Sequence, residues 1–351
     1  VDALTSEPLG SEDIAWLYLN PSELVCFLVF LGLQLVIIYR GIDSIKLLET
    51  WAAPFLILMG LALLGWAYQK ADGFGNMLSA KSAFDVGGEK EGQFLANFFP
   101  ALTGMVGFWA TLSLNIPDFT RYAKTQKDQA LGQAIGLPLF MTLFAFIGVA
   151  VTSASVTIYG EAIPDPTELA GRMGGGFGVA LALAALTIAT LSTNIAANVV
   201  SPANAIMNLS PQRASFRIGG FITAIIGVGI MPWRLIESTG GYIFTWLIGY
   251  SALLGPIGGI IIADYFLVRR TNINVDALFR RDGEYWYTSG FNWTAIAALT
   301  LGILPNVPGF LHQAGFVDNV PQIFQSIYIY AWFVGFLISG TFYTLAMPRQ
   351  D

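Results

Sequence analysis

The chain has 351 residues, of which 55% are hydrophobic and only 11% are charged. Soluble domains carry about 25% charged residues, so this composition indicates an integral membrane protein. The net charge of −6 and the absence of a basic run argue against nucleic acid as a partner. The single cysteine, Cys26, excludes an intrachain disulfide and a thiolate metal site.

Nine apolar stretches approach or exceed the ~18 residues that suggest a membrane-spanning helix. They are residues 22–39, 51–68, 98–116, 134–159, 175–200, 217–235, 241–267, 290–308 and 325–346. Twelve of the 17 Lys and Arg residues fall in alternate connections, which should therefore be cytoplasmic. This orientation places the acidic amino-terminal segment, with Asp2, Glu7, Glu12 and Asp13, outside.

The stretch at 98–116 contains Gly104, Gly107 and Trp109 and runs into Pro117. Glycine lets the backbone leave helical geometry, and unwound backbone in a membrane survives only beside protein or a water-filled cavity. One interpretation is a discontinuous helix that offers backbone groups and the flat face of Trp109 to a ligand. The other is a Trp that packs between helices beside small glycines.

Asp118 and Arg121 follow at the cytoplasmic end of the same stretch. For this pair we predict an ion pair at a helix end rather than a proton relay.

Residues 189–204 place many hydroxyl and amide groups on an uncharged helix. An unpaired polar group in hydrocarbon costs several kcal/mol, so these groups should face protein, water or a ligand. At roughly 100° per residue, two polar faces result. One face carries Ala189, Ser192 and Thr193, and the neighbouring stripe carries Thr190, Asn194 and Asn198.

These two faces allow two tasks. Hydroxyl oxygens, together with backbone carbonyls, are the hard neutral ligands that a small alkali cation accepts. Asn198 offers both an acceptor and a donor, which suits the edge of a polar ring. Alternatively, the same residues hold helices together through interhelical hydrogen bonds worth only ~1 kcal/mol each.

Four sequence runs carry a family resemblance. They are GFWATLSLNIPDFTRY at 107–122, STNIAAN at 192–198 followed by SPA, MPW at 231–233, and ADYFLVRR at 263–270. Together they resemble the nucleobase:cation symporters, family 1, a group that includes hydantoin and allantoin transporters and uracil permeases. The resemblance runs over nearly the whole chain.

The resemblance implies an all-α integral membrane fold with LeuT-like inverted five-helix repeats. About nine transmembrane helices of a twelve-helix fold would be present, and the chain would begin just before the fourth helix. We therefore expect one transporter domain over 1–351. Residues 1–96 would hold helices 4–5, residues 97–270 helices 6–10, and residues 271–351 helices 11–12.

The resemblance also assigns the substrate site. Trp109 matches the aromatic residue that stacks on a planar ring, and Asn198 the amide that binds the ring's edge. Phe108 stands where the hydantoin transporter has a glycine whose backbone faces the ligand. This departure leaves the identity of the ring open.

The cation site is implied in the same way. Ala189, through its backbone carbonyl, and Ser192 and Thr193, through their hydroxyls, match the family's sodium ligands. Proton-coupled members also exist, so the coupling ion is sodium or a proton, and no other cofactor is expected.

We therefore predict a multi-pass protein of the cell inner or plasma membrane that imports a nucleobase, hydantoin, allantoin or uracil-like ring by alternating access. The alternatives are an amino-acid transporter of the same architecture, which would have to recognise a carboxylate, and a membrane protein that binds ligand without transport. A channel lacks support because no ring of charges or filter motif is present. His312 is the only histidine, which excludes His-Glu-x-x-His metalloenzyme chemistry.

Overall fold

The computed structural model describes residues 19–235 and 241–348. The acidic amino-terminal segment, which we expected on the outer side, lies outside these residues.

The described part begins with two long helices, α1 (Pro21–Arg40) and α2 (Ile42–Lys70). Asn20 and Glu23 start α1 with a capping box, in which each side chain accepts a hydrogen bond from the other residue's backbone N–H. Gly41 separates the helices with a φ of 90°, a conformation that glycine adopts without steric cost. Helix α2 therefore begins nine residues before the apolar stretch at 51–68.

The remaining main helices follow in chain order. They are α3 (Phe94–Asn115), α4 (Gln126–Tyr159), α5 (Gly176–Leu209), α6 (Phe216–Gly229), α7 (Gly241–Val268), α8 (Trp293–Gln313), α9 (Gln322–Ile329) and α10 (Ala331–Ala346). Short helices occupy the connections at Phe74–Met77, Pro117–Thr120, Pro166–Arg172 and Pro232–Leu235, and 3₁₀ turns occupy Asp276–Phe279 and Glu284–Trp286.

Seven of the described helices are long and apolar enough to cross a membrane. Helices α9 and α10 meet this criterion only as a pair, which is bent by 88°. Helix α6 has 14 residues, fewer than the stretch at 217–235 predicted, because the chain leaves helical geometry before Met231, whose φ is 50°. The multi-pass helical architecture is confirmed, while the count of nine spans stays a prediction.

The chain forms two compact units. The first unit comprises Val1–Ser82 and Pro117–Pro232. One cluster of its core joins α2 to α4 through buried residues that include Ala67, Ile147 and Ala154. A second cluster joins α2 to α5 through Ile45, Ile195 and Val200.

The second unit comprises Ala83–Ile116 and Trp233–Asp351. Helices α7 and α10 approach closely because Gly255 and Gly259 lie against the backbone of α10, where a Cβ would collide with it. The proposed repeat boundaries at 96 and 270 differ from the limits of these units and stay a prediction.

Helix α3 is continuous from Phe94 to Asn115, so the discontinuous helix considered for Gly104 and Gly107 is not observed. Both glycines are buried against α7, and a Cβ on Gly107 would collide with the Ser251 hydroxyl and the Leu247 carbonyl. Here the glycines permit close helix packing rather than unwinding. The chain leaves α3 only at Ile116, and the short helix Pro117–Thr120 follows.

Candidate functional site

The polar helix α5 changes its winding at the predicted site. It is α-helical over Gly176–Asn194, π-helical over Ile195–Val200 and α-helical again over Ser201–Leu209. Pro202, at the start of the second α-helical part, has no N–H to donate to the carbonyl of Asn198 four residues earlier. Short π-helical segments are rare and frequently occur at functional sites. Helix α7 contains two further π-helical segments, at Gly241–Leu247 and Ala263–Val268, so the winding alone does not single out α5.

Asn198 lies within this π-helical segment, and its side chain is exposed. Its Nδ2 donates to the Oδ1 of Asn194 over 2.7 Å. An amide has two N–H donors and one carbonyl acceptor, so the pair retains both hydrogen-bonding polarities beyond this bond. The two amides can therefore meet a ring edge that alternates donors and acceptors.

Thr190, which the helical spacing grouped with these amides, has a different role. Its hydroxyl donates to the Leu186 carbonyl of the same helix over 2.8 Å. This bond satisfies the hydroxyl proton locally.

Ser192 lies on the covered side of α5 and is only 5% exposed. Its Oγ donates to the Oε2 of Glu49, on α2, over 2.8 Å. Ala189 is half-buried and Thr193 is exposed. All three lie in the α-helical part of α5, so the predicted spacing of i, i+3 and i+4 holds for them.

Glu49 is a residue that sequence reasoning missed. The apolar stretch at 51–68 placed it outside the membrane span, whereas α2 begins at Ile42 and includes it. The sequence did hold one indication of its role, since Glu49 is a carboxylate close to an apolar stretch. An ionisable residue inside a membrane span is a candidate functional residue.

Asp118 and Arg121 form the predicted ion pair, with 3.7 Å between Oδ1 and Nη2. The same Oδ1 accepts a hydrogen bond from the Nδ2 of Asn204, on α5, over 2.9 Å. The end of the family run at 107–122 therefore contacts α5 directly after the SPA run, within the first unit.

Trp109 and Phe108 belong to the second unit. Their rings meet edge to face, with centroids 5.3 Å apart and an interplanar angle of 81°. Trp109 is half-buried, and Phe108 is 45% exposed. Trp109 also lines an apolar groove of about 310 Å³ together with Trp332, on α10. The sequence did not point to Trp332 as a neighbour of Trp109.

The predicted site residues are thus divided between the two units. The first unit brings Ser192 to Glu49 and Asn198 to Asn194, and the second brings Trp109 to Phe108. Their assembly into one site stays a prediction.

The fold and these features define a multi-pass helical membrane protein whose polar groups gather on one interrupted helix. The family described as "Permease for cytosine/purines, uracil, thiamine, allantoin" matches residues 3–335, and the chain belongs to this family. The resemblance deduced from the sequence runs is thereby confirmed.

Two relatives indicate the breadth of the family. The chain is 48% identical over 341 residues to the purine-uracil permease NCS1 of Arabidopsis thaliana, and this match covers 97% of the chain and 56% of that protein. It is 41% identical over 327 residues to the allantoin permease of Bacillus subtilis, and this match covers 93% of the chain and 64% of that protein. The chain therefore spans less than two thirds of the length of either relative. Both are named permeases, in line with the prediction of a transporter rather than an enzyme.

Among solved structures, the chain is similar to Mhp1, a nucleobase-cation-symport-1 family transporter, in a closed conformation with bromovinylhydantoin bound. The TM-score is 0.66 at 24% identity, and the match covers 95% of this chain and 68% of that one. The inward-facing conformation of Mhp1 matches with a TM-score of 0.60. The predicted all-α, LeuT-like membrane fold is confirmed.

Proposed function

We propose that the protein is a secondary-active symporter that couples a cation to the uptake of a planar heterocycle of the nucleobase, allantoin, hydantoin or uracil class. The observation that carries this proposal is the Asn194–Asn198 amide pair at the π-helical segment of α5, in which the Asn198 side chain is exposed, in a chain of this permease family. Alternating access between outward-open and inward-open states would move the ring across the membrane.

Asn198 and Trp109 have complementary tasks in this proposal. The amide of Asn198 hydrogen-bonds the ring's edge, and the indole of Trp109 stacks on its face. Phe108, whose ring meets Trp109 edge to face, is the third residue assigned to the substrate. Loss of the Asn198 amide would leave a polar atom of the enclosed ring unpaired, which costs about 1–3 kcal/mol and should weaken transport by about 5- to 150-fold.

The cation site proposed for sodium lies on the α-helical part of α5. The backbone carbonyl of Ala189 and the hydroxyls of Ser192 and Thr193 supply hard, neutral oxygens. A cation that binds one conformation better than the other shifts the population towards it, and this shift couples its gradient to the substrate.

Uptake measurements test the proposal. Trp109→Ala and Asn198→Ala, made in the protein expressed from its complete reading frame, should each lose uptake of labelled uracil and allantoin while reaching the membrane at normal levels. Trp51→Ala is a matched control, because Trp51 is 70% exposed on α2. Asn97→Ala serves the same purpose for the amide.

Other outcomes would reject the proposal. Competition by free amino acids would indicate an amino-acid transporter, and uptake that neither saturates nor runs uphill would indicate a channel. Binding of the ring without uptake would indicate a binding protein. Normal uptake in either variant would remove that residue from the site.

A further inference from the structure

We propose that Glu49 is the charged member of the cation site and that its carboxylate binds the coupling cation together with Ser192. This inference rests on the proposed function, because it adds a residue from α2 to the ligands assigned on α5.

The position of Glu49 on α2 brings its side chain towards α5. Ile45 and Ala52, one turn before Glu49 and one turn after it, are each only 3% exposed. Residues at this spacing share one helix face. Ile45 packs in one cluster with Ile195 and Val200 of the π-helical segment, so the covered face of α2 is the face that meets α5.

The Glu49–Ser192 hydrogen bond sets the direction of the serine hydroxyl. Ser192 Oγ gives its proton to Glu49 Oε2, with 2.8 Å between the two oxygens. A hydroxyl has one proton and two lone pairs, so the lone pairs of Ser192 then point away from that bond. Lone pairs are what a cation needs from a neutral oxygen ligand.

The second carboxylate oxygen gives the independent observation. Within the part of the chain that the structure describes, Glu49 Oε1 is buried and has no hydrogen-bond partner. None of the ion pairs among the described residues involves Glu49. A buried ionised carboxylate is costly unless it is paired or coordinates a metal ion.

A monovalent cation beside Ser192 and Glu49 would bind the lone pairs of the serine oxygen and would also pair with the buried carboxylate oxygen. The ligands on α5 alone, the carbonyl of Ala189 and the hydroxyls of Ser192 and Thr193, are neutral, so they would leave the bound cation's charge uncompensated. Glu49 adds one negative charge, which makes the occupied site electrically neutral and strengthens attraction for the cation.

The test separates charge from hydrogen bonding. Glu49→Gln keeps an oxygen that can accept the Ser192 proton but removes the charge. Asp43→Asn is the matched control, because it removes one negative charge from an exposed position in the first turn of the same helix. Both variants are made in the protein expressed from its complete reading frame and compared at constant pH.

Two readouts are measured, namely the sodium concentration that gives half-maximal uptake and the affinity for substrate in the absence of sodium. Glu49→Gln should raise the half-maximal sodium concentration by about tenfold or more, equivalent to about 1.4 kcal/mol. Its sodium-free substrate affinity should be unchanged, and Asp43→Asn should behave as the wild type. Ser192→Ala should also raise the sodium requirement.

Three results would overturn the inference. One is an unaltered sodium requirement in Glu49→Gln, and another is an equal loss of substrate affinity with and without sodium, which would indicate a structural role. The third applies if Glu49→Gln does not fold. Glu49→Asp keeps the charge, so it should raise the half-maximal sodium concentration less than Ser192→Ala does, and an equal or larger rise would contradict the inference. Failure of the wild type to accumulate substrate in any cation gradient would instead refute the proposed function itself.

Discussion

Arg269→Ala should destabilise the second unit more than any exposed arginine substitution would. Arg269 follows α7 and is only 3% exposed, although it is charged. Its Nε donates to Asp264 Oδ2 and its Nη2 to the hydroxyl of Tyr287, each over 2.7 Å. The guanidinium also lies over the ring of Tyr285, at 4.4 Å from the centroid. The family run ADYFLVRR thus encodes both partners of an ion pair in which the arginine is buried and the aspartate is half-buried.

The network extends to the last helices. Tyr343, on α10, donates to Asp264 Oδ1 over 2.7 Å and accepts a hydrogen bond from Asn292 at the start of α8 over 3.1 Å. Removal of Arg269 would leave Asp264 without its cationic partner. Breaking a buried ion pair in this way typically costs about 3–5 kcal/mol, and the lower end applies here because the Asp264 side chain is 26% exposed. At about 2–4 °C per kcal/mol, we expect the melting temperature to fall by about 6 °C or more.

The assay is thermal denaturation of the detergent-purified protein, followed by the recovery of monodisperse material on size-exclusion chromatography. Arg270→Ala is the matched control, because Arg270 is the adjacent residue of the same type and is exposed. Surface substitutions of this kind usually change stability by less than about 0.5 kcal/mol. Equal melting temperatures for the two variants would show that the buried pair does not hold α7 to its neighbours.

Two further substitutions test the interpretation of α5 and α3. Pro202→Ala restores an N–H for the Asn198 carbonyl, so α5 should recover α-helical winding, and uptake should fall by about tenfold, or about 1.4 kcal/mol in transition-state stabilisation. Pro54→Ala on α2 is the control for this substitution. Normal uptake by Pro202→Ala would show that transport does not depend on the π-helical segment. Gly107→Ala should cost about 1–3 kcal/mol, because the added Cβ collides with α7. Gly132→Ala meets open space in the described structure, so a melting temperature for Gly107→Ala as high as that of Gly132→Ala would contradict the packing role.

The helices and the polar face of α5 were predictable from sequence because they depend on local periodicity. Ala189, Ser192 and Thr193 keep the spacing that an α-helix gives them. The π-helical segment around Asn198 was not predicted, although Pro202 follows it closely. Uniform helical spacing treats the proline as an ordinary residue, whereas its missing N–H affects the carbonyl four residues earlier.

Other features could not be derived from local pattern. The contact between Glu49 and Ser192 joins residues that are 143 positions apart, and no periodicity within α2 or α5 specifies it. Gly104 and Gly107 were ambiguous because a missing Cβ permits both unwinding and close packing. Only the presence of α7 against them decides between the two.

The contact between Glu49 and Ser192 also bears on how a cation could drive transport. A ligand shifts a conformational equilibrium only if it interacts differently with the two states. A cation bound by α5 alone could keep the same contacts in every state and would then shift nothing. A carboxylate from α2 makes the site depend on the spacing of two helices, so any motion that changes this spacing changes the affinity for the cation. On this reasoning, Glu49→Gln should weaken sodium binding. It should also reduce the effect of sodium on substrate affinity, because the effect of one ligand on the other's affinity is reciprocal.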